Sequence, residues 1–134
     1  MIALDTNILI YACDRADPKR QQIAIDLIAN NSNGALLWQV ACEFIAASRK
    51  LSAQGFTVSD AWNRLAEFLT LFRLLLPTAG VLERGQNLHA QHGVSFWDAL
   101  ILAACAEAGV EILYSEDVPG LPTPSAVKVV NPFQ

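Results

Sequence analysis

An apolar triplet, Ile2-Ala3-Leu4, ends in an acid, Asp5, and a helical pattern, Ile8-Leu9-Ile10-Tyr11-Ala12, begins at once. A strand that passes into a helix without a loop is the opening of an α/β unit. In open sheets of that class, ligands bind just beyond the carboxyl ends of the strands. Asp5 therefore stands where such a fold does its chemistry.

The alternation continues along the chain. Asp17-Pro18 reads as an N-cap with proline at the first helical position. The helix it opens runs to about Asn31, with Ile23, Leu27 and Ile28 on one face. Asn33-Gly34 turns into a second strand, Ala35–Trp38. A third helix carries Val40, Glu43, Phe44 and Ala47 and ends near Leu51. After the Gln54-Gly55-Phe56 loop, Thr57 caps an amphipathic helix with Val58, Ala61, Trp62, Leu65, Leu69 and Phe72 at helical spacing. Leu74–Leu76 is a third strand closed by Pro77. Thr78 opens a helix weakened by Gly80 and Gly85 and stopped at Gly93. Ser95 caps the apolar helix Phe96–Ala108, with Gly109 just past its end. Val110–Tyr114 is a fourth strand, residues Ser115 to Pro124 are loop, and Ala126–Val130 is a last strand.

Strands separated by helices imply parallel pairing through right-handed crossovers. The expected fold is one small three-layer α/β domain over residues 1–134. A chain of 134 residues, 53% hydrophobic and only 16% charged, can bury one core of that size. The net charge of −4 provides no global basic field, which argues against a non-specific nucleic-acid binder but leaves room for local contacts. The three cysteines, Cys13, Cys42 and Cys105, have apolar neighbours and no CxxC pair. They read as reduced, buried thiols of a cytoplasmic protein, and zinc is disfavoured. No basic stretch precedes an apolar one at the start, and Ala99–Ala106 is too short to span a bilayer, so no membrane role is expected.

Most of the thirteen acids sit among polar neighbours and read as surface charge: Asp14, Asp17, Asp26, Asp60, Glu67, Glu83, Glu107 and Glu111. Four differ. Asp5 ends the first strand and Asp117 follows the fourth. Glu43 lies early in the helix after the second strand. Asp98 lies in the first turn of the helix leading back to the fourth strand, so it too starts at the carboxyl edge. All four can meet on one rim. A single acid at a helix start is explained by the macrodipole, worth about 0.3–1 kcal/mol. Four together are not, because two unit charges about 4 Å apart repel by about 4 kcal/mol at an effective dielectric near 20. No lysine or arginine lies in the segments that carry Asp5, Asp98 and Asp117. A hard divalent cation, Mg²⁺ or Mn²⁺, is the simplest neutraliser, and the four acids read as its cage.

These residues resemble a known family. Leu4-Asp5-Thr6-Asn7-Ile8-Leu9-Ile10-Tyr11-Ala12 is similar to the opening of PIN-domain ribonucleases, in particular the VapC-type toxins of bacterial toxin–antitoxin pairs. Val40-Ala41-Cys42-Glu43-Phe44, Ser95-Phe96-Trp97-Asp98-Ala99-Leu100-Ile101 and Ile112-Leu113-Tyr114-Ser115-Glu116-Asp117 resemble the later acidic motifs. Ser115 stands where threonine is commoner. Glu116 beside Asp117 leaves the register open, with Asp117 preferred. The resemblance implies a short, five-stranded, mostly parallel sheet in order 3-2-1-4-5 and a metal-dependent endoribonuclease. It implies Asp5 and Asp98 as the main metal ligands, with Glu43 and Asp117 completing the cluster partly through waters. It also implies an antitoxin partner and a homodimer.

Thr6, Asn7 and Ser115 would orient acids, water or phosphate, although turn and capping chemistry accounts for them equally. His89 and His92 suit a helix C-terminus better than a ligand set. The basic pairs Lys19-Arg20 and Arg49-Lys50 are candidate phosphate contacts or plain surface. Two other readings remain: a response-regulator receiver, with Lys128 as its foothold, and a catalytically silent PIN-like binding module. The RNA substrate, whether transfer, ribosomal or messenger, is not legible in the sequence.

Overall fold

Strand β1 (Ile2–Leu4) lies at the centre of a parallel sheet because the chain reverses direction around it. The computed structural model describes residues 1–120 and 127–134. Within them the order is β1, α1 (Thr6–Cys13), α2 (Pro18–Ala29), β2 (Ala35–Leu37), α3 (Trp38–Ala47), a 3₁₀ segment (Ser48–Gln54), α4 (Val58–Leu71), β3 (Arg73–Leu75), α5 (Ala79–His92), α6 (Phe96–Ala108), β4 (Ile112–Tyr114) and β5 (Lys128–Val130). The sheet order is β3-β2-β1-β4-β5, and every pairing is parallel. The order is the one expected, and the described strands are parallel throughout. The receiver fold is ordered 2-1-3-4-5, so that alternative does not survive.

Progress from β1 to β3 runs one way across the sheet, and the step from β3 to β4 runs back. With right-handed crossovers, the two directions put α1–α4 on one face and α5–α6 on the other. The crevice between β1 and β4 is therefore a topological switch point, where α/β folds place ligands. The register aligns Leu4 with Tyr114. The next residues along, Asp5 and Ser115, thus emerge side by side.

The core is mostly aliphatic, with Phe44, Phe68 and Phe72 buried in it. Phe44 is fully buried and meets Phe68 edge to face, ring centres 5.4 Å apart. Burying such a side chain contributes roughly 1.5–3 kcal/mol. Gly85 fits α5 against α6, since a Cβ there would come within 2.9 Å of Leu100. It serves close helix packing as well as weakening helix propensity.

Several boundaries shift. Trp38 begins α3 instead of ending β2, and α3 gives way to 3₁₀ geometry at Ser48. Strand β3 starts at Arg73, one residue early, and β4 starts at Ile112. Ala126 and residues 121–124 of the expected loop lie outside the described residues. Helix α4 buries Ala61, Leu65 and Phe68 and leaves Trp62 exposed, so the apolar stripe is wider than the packed face. No helix among the described residues is long and apolar enough to cross a membrane.

The cysteines divide. Cys13 and Cys105 are buried, whereas Cys42 is exposed, against the expectation of three buried thiols. Burial pushes the Cys105 thiol up to about 12 and raises Cys13 as well. At pH 8 roughly 10⁻⁴ of Cys105 is thiolate. Iodoacetamide should therefore add to Cys42 alone in the native protein and to all three thiols in urea. Native labelling of Cys105, read by peptide mass, would contradict the packing described.

Candidate active site

Asp5 serves as the N-cap of α1. Its Oδ1 accepts the Thr6 backbone N–H at 2.7 Å, and its Oδ2 accepts the Ser115 hydroxyl at 2.7 Å. Only 6% of Asp5 is exposed. Burial raises its carboxyl above the ordinary value. The bonds from Ser115 and Thr6 oppose that rise, and the charges of Glu43 and Asp98 add to it. Glu43 and Asp98 are thus electrostatic neighbours of Asp5.

Each of the other acids is held by a different element. Glu43 Oε2 accepts the Thr6 hydroxyl at 2.9 Å, and its Oε1 accepts the Gln39 amide at 2.8 Å from one turn back in α3. Asp98 stands in the first turn of α6, where the helix dipole favours an acid. Asp117 Oδ2 accepts the Asn7 amide at 3.2 Å. Ser115 Oγ is the hub: it donates to Asp5 and accepts the backbone N–H groups of Asp117 (3.2 Å) and Val118 (3.0 Å). Thr6, Asn7 and Ser115 all hold acids by hydrogen bonds.

Asp5, Glu43, Asp98 and Asp117 line a single open cleft of about 780 Å³. Glu116 reaches the same cleft but is occupied otherwise. Its carboxylate accepts the Tyr11 hydroxyl at 2.6 Å and pairs with Arg20 at 3.4 Å. That bond pushes the Tyr11 hydroxyl up to about 12. Arg20 also pairs with Asp17, so this partly exposed guanidinium already faces two carboxylates. Lys50, from the other basic pair, does line the cleft. Asp14 lines it too, half-buried, although its neighbours suggested plain surface.

Among the described residues, no basic side chain pairs with Asp5, Glu43, Asp98 or Asp117. Nor do any three His, Cys, Asp or Glu side chains there converge closely enough to hold an ion between them. The four acids expected as a cage line one open rim, with Glu43 bonded to Thr6 and Gln39, and Asp117 to Asn7. The donor chemistry still suits Mg²⁺, which takes one or two carboxylates and keeps waters for the remaining positions.

The histidines lie outside the cleft. His89 bonds the Val94 carbonyl through Nδ1 at 2.9 Å, next to the end of α5. Gln39, Tyr11 and Arg20 were missed as supporting residues. Only Gln39 had a signal, standing one helical turn before Glu43.

The family model for the PIN domain matches residues 2–118. A solved structure described as a toxin–antitoxin complex from Klebsiella pneumoniae superposes with a TM-score of 0.73 at 19% identity, covering 98% of each chain. At that identity the likeness speaks to the fold. No curated protein matches the chain. PIN domains are generally nucleases that use divalent metals. The matched residues run from β1 to just past Asp117 and take in every acid of the cleft, so the chain belongs to the PIN domain family.

Proposed function

We propose that this PIN domain is a Mg²⁺- or Mn²⁺-dependent endoribonuclease and the toxin of a VapC-type toxin–antitoxin pair. The observation that carries the nuclease reading is the single cleft lined by Asp5, Glu43, Asp98 and Asp117 with no basic partner among the described residues. The toxin role draws on the fold shared with a toxin–antitoxin complex. An antitoxin protein and a second copy of the chain are the proposed partners. The silent binding module is disfavoured because all four acidic positions are filled.

Asp5 and Asp98 would hold the cation, with Glu43 and Asp117 acting partly through its waters. Bound there, it would lower the pKa of a water and stabilise charge on the scissile phosphate. The chain's own part is positioning. Ser115 and the Thr6 N–H fix both oxygens of Asp5. Thr6 and Gln39 fix Glu43 between them. Asn7 aims Asp117, the fourth acid in this reading, while Tyr11 and Arg20 draw Glu116 aside. Hydrolysis adds water across the P–O3′ bond. Hydroxyl goes to phosphorus and the proton to the departing 3′ oxygen, leaving a 5′-phosphate and a 3′-hydroxyl.

Purified protein incubated with total RNA and Mg²⁺ or Mn²⁺ should produce discrete fragments with ligatable 5′-phosphates. EDTA should stop cleavage, and added Mg²⁺ should restore it. Cleavage at the same rate in EDTA, or no cleavage with either metal, would sink the proposal. Expression in a bacterial host should arrest growth, and the arrest should be lifted by a co-purifying small protein. A harmless chain with no such partner removes the toxin role and leaves the nuclease.

A further inference from the structure

We infer that the indole of Trp97 is a stacking platform for a base of single-stranded RNA running from the acid cleft into the neighbouring apolar groove. The inference rests on the ribonuclease reading and names how that site grips its substrate.

Trp97 immediately precedes Asp98 at the start of α6 and is 61% exposed. It belongs to the walls of two cavities. One is the acid cleft. The other is a groove of about 610 Å³ that includes Trp38, Leu74, Leu76, Leu82 and Leu100. A chain of nucleotides leaving the acids toward that groove passes Trp97.

The indole is exposed yet held. Phe96 packs its ring edge to face on Trp97, centres 4.9 Å apart, and His89 braces Phe96 at 5.8 Å. The Trp97 carbonyl accepts the Gln39 amide at 3.2 Å, the same amide that donates to Glu43. One side chain therefore ties the platform to the acidic rim. A large ring already ordered loses little entropy on contact, which favours stacking.

Charge selects the occupant. Lys50 lines the cleft and Arg73 lines the groove, and neither is ion-paired among the described residues. Each of the two cavities that share Trp97 thus carries a cation, and the groove's one carboxylate, Glu107, is already paired with Arg84. A cation in each cavity suits phosphates flanking a base stacked on Trp97. Stacking requires unpaired bases, so the strand is single.

The test uses single-turnover cleavage of a short, end-labelled, mixed-sequence single-stranded RNA in Mg²⁺, with subsaturating and saturating enzyme. Trp97→Ala and Trp97→Leu should weaken apparent RNA binding roughly 5- to 100-fold, the range for loss of one stacked base. Trp97→Phe should stay within about threefold of wild type. An abasic site walked along the RNA should weaken wild type at one position and leave Trp97→Ala unchanged there. Thermal melts of all variants should coincide, since the side chain is mostly exposed. If Trp97→Leu matches Trp97→Phe, or Trp97→Ala matches wild type, the inference fails and the ribonuclease reading stands. If Trp97→Ala instead changes the oligomeric state by light scattering with RNA binding intact, the face is a chain–chain contact and the inference also fails. If wild type cuts no RNA, both fall together.

Discussion

Asp98→Asn should lower the RNA cleavage rate about 10³-fold or more while moving the melting temperature by only a few degrees. Asparagine keeps the shape, and what it gives up structurally is a carboxylate at a helix N-terminus, worth about 0.3–1 kcal/mol. The catalytic loss is far larger if Asp98 holds the cation. Asp5→Asn should lose as much activity, and its stability relative to wild type should improve as pH rises. The folded-state value of Asp5 is raised by burial and by Glu43 and Asp98, so the folded protein binds that proton more tightly than the unfolded chain. Stability from this group is present at low pH. It is lost as pH rises from the ordinary value of 3.8 through the raised folded one. Asparagine carries no such charge, so the variant gains on wild type with rising pH, against the one bond that its amide nitrogen cannot accept. A cation offsets the same penalty, so Mg²⁺ should raise the melting temperature of wild type more than that of Asp5→Asn. A stability gap between Asp5→Asn and wild type that does not change with pH, or either variant cutting RNA at the wild-type rate, would show that these acids serve the fold. An acid that destabilises the fold and is indispensable to the reaction is a mark of a functional site.

The acids were legible because their signal is local. Asp5 follows an apolar strand, Asp98 opens an apolar helix, and each stands out against its own neighbours. The alternation of elements was legible for the same reason, and Gly93 and Gly109 close their helices where expected. What the sequence left open or hid was non-local. Glu116 and Asp117 are adjacent acids, and their difference depends on Tyr11 and Arg20, more than ninety residues away in sequence. The expected stripe of α4 included Trp62 and passed over Phe68, yet packing against Phe44 buries Phe68 and leaves Trp62 exposed. Cys42 stands between Ala41 and Glu43 and faces outward, because α3 buries Val40, Ala41 and Phe44 instead. Arg73 reads as polar, yet it joins β3 because its strand is the sheet edge and one side of it is open.

Ser115→Ala should cost about 2–4 kcal/mol of stability and lower cleavage about 10- to 100-fold, although Ser115 touches no substrate in the proposed reaction. The hydroxyl is 1% exposed and holds several groups at once. Removing it strips one hydrogen bond from buried Asp5 and orphans the N–H groups of Asp117 and Val118. The bond to Asp5 is also the largest influence lowering that carboxyl, so its loss drives Asp5 further toward the protonated form. Both effects act on one rim: Asp5 binds a cation less readily and the Asp117 turn loosens. Ser115→Thr restores a hydroxyl at the same Cβ and should recover most of both losses. Melts and single-turnover cleavage of the three proteins separate the causes. If added Mg²⁺ at high concentration recovers the rate of Ser115→Ala but not its stability, the hydroxyl acts on chemistry through Asp5. If the alanine protein is as stable and as active as wild type, Ser115 is not the hub that joins β1 to the loop after β4.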